Sequence, residues 1–253
     1  MKLRIKFRKY GPIRFIGHLD VMRFFQKAIR RAQVDIAYTG GYSPHQIMTF
    51  AAPLGVEMTS NGEYMDIEVH SITSCADVKE KLNQASVPGI EIVSVKILPE
   101  NAGNAMASVA AASYTVRFRE GREPKCDIAS ELKNFLSRES IRVTKETKKG
   151  CRELDLKEGI YQLFWEDNAF YMLLCASSAG NIKPVQVVDA LLAQSGETLQ
   201  ENALLITRED VFTSIVQTEA GATDTLVNES LHLVSLDEIG SEKIPSTENP
   251  YES

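Results

Sequence analysis

Residues 2–8, KLRIKFR, alternate without a break: Leu3, Ile5 and Phe7 fall on one side, and Lys2, Arg4, Lys6 and Arg8 on the other. Side chains of an extended chain point to opposite faces with a period of two, so this stretch predicts a half-buried strand with a basic outer face. After Gly11 and Pro12 the period changes. From Gly17 to Ala32, GHLDVMRFFQKAIRRA, the apolar residues Leu19, Met22, Phe25, Ile29 and Ala32 recur at spacings of three and four. That is the repeat of a helix lying on a core, ending near Gln33 or Val34. A strand that must hide one face, followed by a helix that must hide one stripe, commits the chain to a layered α+β fold.

The same reasoning carries along the chain. The stretch 39–46, TGGYSPHQ, is a loop by composition, and Ile47 to Ala51 a short strand. Asn61-Gly62 signals a turn ahead of a strand through Tyr64, Ile67 and Val69. Ser74 opens a second amphipathic helix with Val78, Leu82 and Ala85 along it; Val87-Pro88-Gly89 stops it, and Ile90 to Ile97 is a strand. The order strand, helix, strand, strand, helix, strand is the split βαβ, ferredoxin-like pattern. It partly repeats: strand at 113–118, helix at 127–137, strands at 141–144, 159–165 and 169–175, the last two turned by Asp167-Asn168, helix from Pro184, and strand at 204–209. The expected architecture is two tandem ferredoxin-like halves with antiparallel sheets and helices on one face. Residues 1–100 form the first half, 101–112 a linker or loosely packed short helix, 113–215 a degenerate second half, and 216–253 an acidic, partly disordered tail.

Charge is uneven. Residues 1–33 hold ten Lys and Arg against the single acid Asp20, a net of +9, whereas residues 197–253 hold twelve Asp and Glu against Arg208 and Lys243, a net of −10. A basic head attracts polyanions, and an acidic tail on the same chain can compete for it. Cys75, Cys126, Cys151 and Cys175 are widely spaced with no C-x2-C pair, which argues against a disulfide framework, a zinc ribbon or a self-contained iron–sulfur cluster. The start has no signal-peptide core, and no segment approaches the 18–20 apolar residues of a membrane span. A soluble, cytoplasmic protein with no membrane association and no cofactor of its own is expected.

Three places can carry function. His18 and Asp20 stand at the start of the first helix with Arg23: His18 can bind phosphate or act as a general acid, and Asp20 can orient it or act as base or nucleophile. Equally, Asp20 can serve only the helix's first turn. Arg23, Lys27, Arg30 and Arg31 share a helix side suited to phosphates, and in the loop Tyr42 can stack on a base while His45 contacts phosphate. Lys148, Lys149 and Arg152 cluster around Gly150, either as a second phosphate contact or as a solvated hairpin tip. His18, Asp20 and His45 make an imaginable three-ligand set, but no metal-ligand spacing supports one.

Taken together, FIGHLDVMRFFQKAIRRA, YTGGYSPHQIMTFAAPLGVEMTSNGEYMDI and LNQASVPGIEIVSV resemble the bacterial radical SAM-linked (radical SAM-associated) proteins, and TKKGCRELDL is similar to that family's later basic stretch. Gly17, His18, Asp20, Arg23, Tyr42, Ser43, Pro44 and His45 match; Gln46-Ile47 stands where many members have Pro-Lys. The resemblance implies a partnership with a radical S-adenosylmethionine protein, which would supply the cluster this chain has no cysteine trio to hold, and its gene neighbourhoods point toward RNA. A more distant similarity, at Leu82-Asn83 and Pro88-Gly89-Ile90, is to tandem ferredoxin-like tRNA pseudouridine synthases, without their Arg-Thr-Asp segment. The expected function is an accessory module that binds tRNA or rRNA for a radical SAM partner. The alternatives are an RNA-modifying enzyme using Asp20 or His18, and a protein-only adaptor.

Overall fold

The alternation at the start of the chain becomes strand β1, Lys2–Lys9, with Leu3, Ile5 and Phe7 buried. A computed structural model of the chain describes residues 1–147, 150–178, 180–216 and 231–244. The chain divides into two units: Met1–Val56, Gly62–Ser108 and the segment from Ser235 form one, and Glu57–Asn61 with Val109–Val234 the other.

In the first unit β1 is followed by helix α1 (His18–Arg31), the short strands β2 (Asp35–Ile36) and β3 (Met48–Phe50), and the long strand β4 (Thr59–Ser71), whose first residues belong to the second unit. Helix α2 (Cys75–Gln84), strand β5 (Ile90–Ile97) and the single turn α3 (Ala105–Ser108) complete it. The strands run β5-β1-β4, with β2 and β3 alongside β4. Pairing is antiparallel for β1 with β5 and for β2 and β3 with β4. Phe25 and Ile29 of α1 and Val78 and Leu82 of α2 close over Leu3, Ile5, Phe7, Ile67, Ile92 and Val95. Phe7 meets Phe25 edge-on, with ring centroids 4.7 Å apart. Ser74 caps α2, its hydroxyl accepting from the Asp77 amide at 3.0 Å. Gly89 stands at φ +100°, where a Cβ would come within 2.7 Å of the Tyr10 carbonyl oxygen. Only glycine lets the chain close there on the end of β1.

The second unit contains β6 (Val109–Phe118), α4 (Ile128–Ser137), β7 (Arg142–Thr147), β8 (Gly150–Asp155), β9 (Ile160–Glu166), β10 (Ala169–Cys175), α5 (Pro184–Gln194), β11 (Leu204–Val216) and β12 (Leu231–Ser235). The strands run β11-β6-β10-β9, each neighbouring pair antiparallel, while β12 lies along β11 and β7 pairs with β8 apart from them. Thr59 and Ser60 run parallel to Thr207 and Arg208. Asp127 caps α4, and Leu132, Phe135, Val187, Val188 and Leu191 of α4 and α5 are buried. Asp167 and Asn168, at φ 49° and 56°, turn β9 into β10, the left-handed geometry favoured in two-residue hairpins. The fold is α+β with mostly antiparallel strands.

Several local expectations are corrected. Asn61-Gly62 is not a turn but lies inside β4, where Asn61 Nδ2 donates to Glu209 Oε2 at 2.7 Å and the preceding residues pair with β11. The stretch expected as a linker or short helix, 101–112, contains the short helix α3 and the boundary between the units, and what it adds is the first residues of β6; strands pair on both sides of β6, and its alanines there fit a crowded strand. Leu19 is 61% exposed, because α1 turns Val21, Phe25, Ala28 and Ile29 inward instead. The segment after 216 includes β12 and a 3-10 turn, Leu236–Glu238, with Leu236 fully buried. The rest of the expected disorder, at 217–230 and 245–253, falls outside the described residues.

Candidate nucleic-acid interface

Helix α1 follows Gly17, whose backbone is extended, and places Asp20 in its first turn, where a carboxylate offsets the positive end of the helix dipole. Arg23, Lys27, Arg30 and Arg31 then follow at spacings that keep them within one stripe, all exposed. Asp20 pairs with Arg23, Oδ1 to Nη1 at 3.2 Å, both side chains more than half exposed. Arg30 Nε donates to the Gln26 carbonyl at 3.3 Å, and Arg31 Nη2 to the Ala85 carbonyl at 2.7 Å, with its guanidinium over the Phe24 ring. Those partners are uncharged, so they position the two arginines and leave their charge facing solvent. Among the described residues Lys27 has no ion-pair partner. Beyond Arg31 a polar cleft of about 650 Å³ is lined by Gln33, Lys81, Gln84 and Ser86 among others.

The cations of β1 are used differently, which corrects the expectation of a basic outer face. Arg4 is 4% exposed and makes a bidentate pair with Asp66, both bonds 2.9 Å. Lys9 is 2% exposed and donates to the Arg14 and Ile16 carbonyls at 3.3 and 2.9 Å. Arg8 pairs with Glu91 at 3.2 Å, and Lys6 stands 3.9 Å from Asp237. The charge that sequence assigns to one basic head is thus divided: β1 buries Arg4 and Lys9 and matches the exposed Arg8 with a carboxylate, while α1 shows its cations.

The loop after β2 lies against the same helix. Tyr38 bridges to Gln46, the Thr39 amide donates to the His45 carbonyl at 2.9 Å, and the Thr39 hydroxyl accepts from the His45 amide at 3.1 Å and meets its Nδ1 at 3.0 Å. Gly41, at φ +98°, supplies the reversal. Gln46 is buried and its Nε2 donates to the Gln26 carbonyl at 3.3 Å, the oxygen that also accepts from Arg30. One carbonyl therefore ties the loop to the cationic stripe. Gln46 Oε1 is buried and has no hydrogen-bond partner among the described residues. Tyr42 is fully exposed and His45 exposed at the loop's tip. Gln46 was legible in sequence only as a departure from the Pro-Lys of the resembled family; nothing in its neighbours announces a docking residue.

His18 and Asp20 have separate partners. The His18 ring meets Phe50 edge-on at 5.0 Å, and its burial holds the imidazole below its ordinary pKa, Glu63 opposing and Lys9 adding to the shift. The shift favours the neutral imidazole, while Asp20 faces solvent with Arg23. Among the described residues no group of three His, Cys, Asp or Glu side chains is placed to hold a metal ion. Lys148 and Lys149 lie outside the described residues, and Arg152 is placed only by its backbone, in β8 opposite Lys145. Asp155, the end of the family-like stretch, is a local clamp that sequence reasoning did not find. It accepts from the Ser140 hydroxyl at 2.6 Å and from the Ile141 and Lys157 amides at 2.9 and 3.0 Å, and these bonds, Ser140's first, hold its carboxyl below the ordinary range.

No helix among the described residues is long and apolar enough to cross a membrane. Fold and site together define an α+β protein with an exposed cationic helix and a tethered loop. Residues 2–184 match the family described as an uncharacterized protein conserved in bacteria (DUF2344), and the chain belongs to that family. A search of curated proteins finds no match.

Proposed function

We propose that the chain is an accessory RNA-binding module, presenting tRNA or rRNA to a radical SAM partner protein. The observation that carries the RNA reading is the stripe Arg23, Lys27, Arg30 and Arg31, four exposed cations against the single carboxylate of Asp20. Guanidinium and ammonium groups in a row along a helix are spaced to meet successive phosphates. The neighbouring loop adds Tyr42 and His45, a ring that can stack on an unpaired base and an imidazole that can reach phosphate. The strand orders β5-β1-β4 and β11-β6-β10-β9 support reading the two units as tandem ferredoxin-like halves. The radical SAM partnership rests on the sequence resemblance alone. The separate placement of His18 and Asp20 favours binding over catalysis at this helix.

The test is fluorescence anisotropy of the full chain with labelled tRNA and rRNA fragments. Arg30→Ala/Arg31→Ala is expected to weaken binding about ten-fold or more without loss of folded protein; unchanged affinity removes α1 from the interface. Pull-down of the radical SAM protein that survives nuclease treatment, from a chain that binds no RNA, would move the function to a protein-only adaptor.

A further inference from the structure

Within the second unit, a cleft of about 370 Å³ is lined by the loop that leads into α4 and by the β9–β10 hairpin. Two aromatic rings form part of its wall. Phe118, at the end of β6, and Trp165, near the end of β9, stand with ring centroids 6.5 Å apart and planes inclined at 59°. Both pack on Phe170, which is 1% exposed, at 6.1 and 4.6 Å, so the core braces them. The surrounding backbone is fixed too. The Glu197 carboxylate accepts from the Lys125 amide at 3.0 Å and from the Cys126 amide at 2.7 Å, and the Asp167 carbonyl, beside the lining residue Asn168, accepts from Arg117 Nη1 at 2.6 Å. The cleft is thus formed before any ligand arrives.

Its charge is of one sign. Glu123 and Asp127 contribute carboxylates, and no Lys, Arg or His among the described residues lines the cleft. Asp127 Oδ1 accepts from the Ala129 amide at 3.2 Å as the cap of α4. Among the described residues Glu123 makes no hydrogen bond and neither carboxylate is ion-paired, although Lys125 lies between them in sequence. Aromatic rings attract organic cations, and carboxylates supply the counter-charge.

We propose that this cleft binds a linear polyamine, its ammonium groups on Glu123 and Asp127 and its methylene chain against Phe118 and Trp165. Two carboxylates call for more than one positive charge, and the rings call for a ligand with apolar surface between its charges. A bare divalent cation would use the carboxylates and leave the rings idle. The claim is independent of α1 as an RNA surface.

Trp165 is the chain's only tryptophan, so its fluorescence reports on this cleft. The full chain is titrated with spermidine at constant ionic strength and followed by that fluorescence and by calorimetry. A saturable change with one spermidine per chain is expected. Glu123→Gln/Asp127→Asn, in which Asn can still cap α4, should raise the half-saturating concentration about ten-fold or more, and Phe118→Leu about three-fold. If the double variant melts earlier than wild type, Glu123→Gln alone carries the comparison, with a weakening of about three-fold expected. Three results overturn the site. The first is no saturable change by either method. The second is a response that magnesium chloride reproduces at equal charge. The third is a half-saturation that these variants leave unchanged, which would place spermidine elsewhere on a chain of net charge −6.

Discussion

Strand β1 and helix α1 are adjacent in sequence and similarly rich in Lys and Arg, yet the fold treats their charges in opposite ways. On β1 the outward positions face other strands' carboxylates: Asp66 from β4 and Glu91 from β5 close on Arg4 and Arg8, while the turn at Asp237 closes on Lys6. On α1 the helix turns its cationic stripe away from the sheet it packs on, and Arg30 and Arg31 are braced by neutral carbonyls. A run of positive charge is therefore not a surface until the partners of each residue are known. The strand's cations specify and steady the fold, and the helix's cations are available to a ligand.

The largest break in that contrast is expected at Arg4. Arg4→Met leaves Asp66, only 11% exposed, without its bidentate partner. Removing one member of a buried pair costs about 3–5 kcal/mol, to be read from urea unfolding. Arg4→Met combined with Asp66→Leu should recover most of the loss, since the pair itself adds little net stability; a single variant as stable as wild type would place Arg4 among the displayed cations. A smaller effect is expected at the start of α1. Burial depresses the folded-state pKa of His18, so as pH falls below about 6.5 the unfolded chain takes up this proton first. The stability present above that pH is lost as pH falls through the lower folded value. His18→Phe keeps a ring against Phe50 and should flatten the pH dependence of the melting temperature in that window, above the range where carboxylates titrate. An unaltered profile would mean that His18 is not the group responsible.

Local grammar made much of this fold readable. The bounds of β5 and β10 match their sequence patterns, Ser74 and Asp127 cap the helices they precede, and Asp167-Asn168 makes the turn. For the caps and the turn the deciding partners lie within a few residues, and for the two strands the local pattern of residues already marks the bounds. What was not readable depends on residues far along the chain. Asn61-Gly62 becomes strand because Glu209 and β11 hold it, and the alanines before Ser113 become strand because β6 is paired on both sides. At the site, the exposed stripe of α1 followed from helical spacing, since its own core face fixes which side is left. The burial of Arg4 and Lys9, the docking of Gln46 on the Gln26 carbonyl and the arrival of Asp237 at Lys6 did not, because alternation says which face a residue takes and not what stands across from it.

The most direct test of the division between strand and helix is the salt dependence of RNA binding, log Kd against log salt concentration, for wild type and for Lys27→Gln/Arg30→Gln/Arg31→Gln. Each phosphate contact to a single strand contributes about 0.7 to the slope. If α1 is the phosphate-binding surface, the variant's slope falls by about 2 and its affinity collapses toward that of a neutral surface. A slope equal to wild type would mean that the phosphates are held elsewhere and that the exposed cations of α1 are no more than a solvated face.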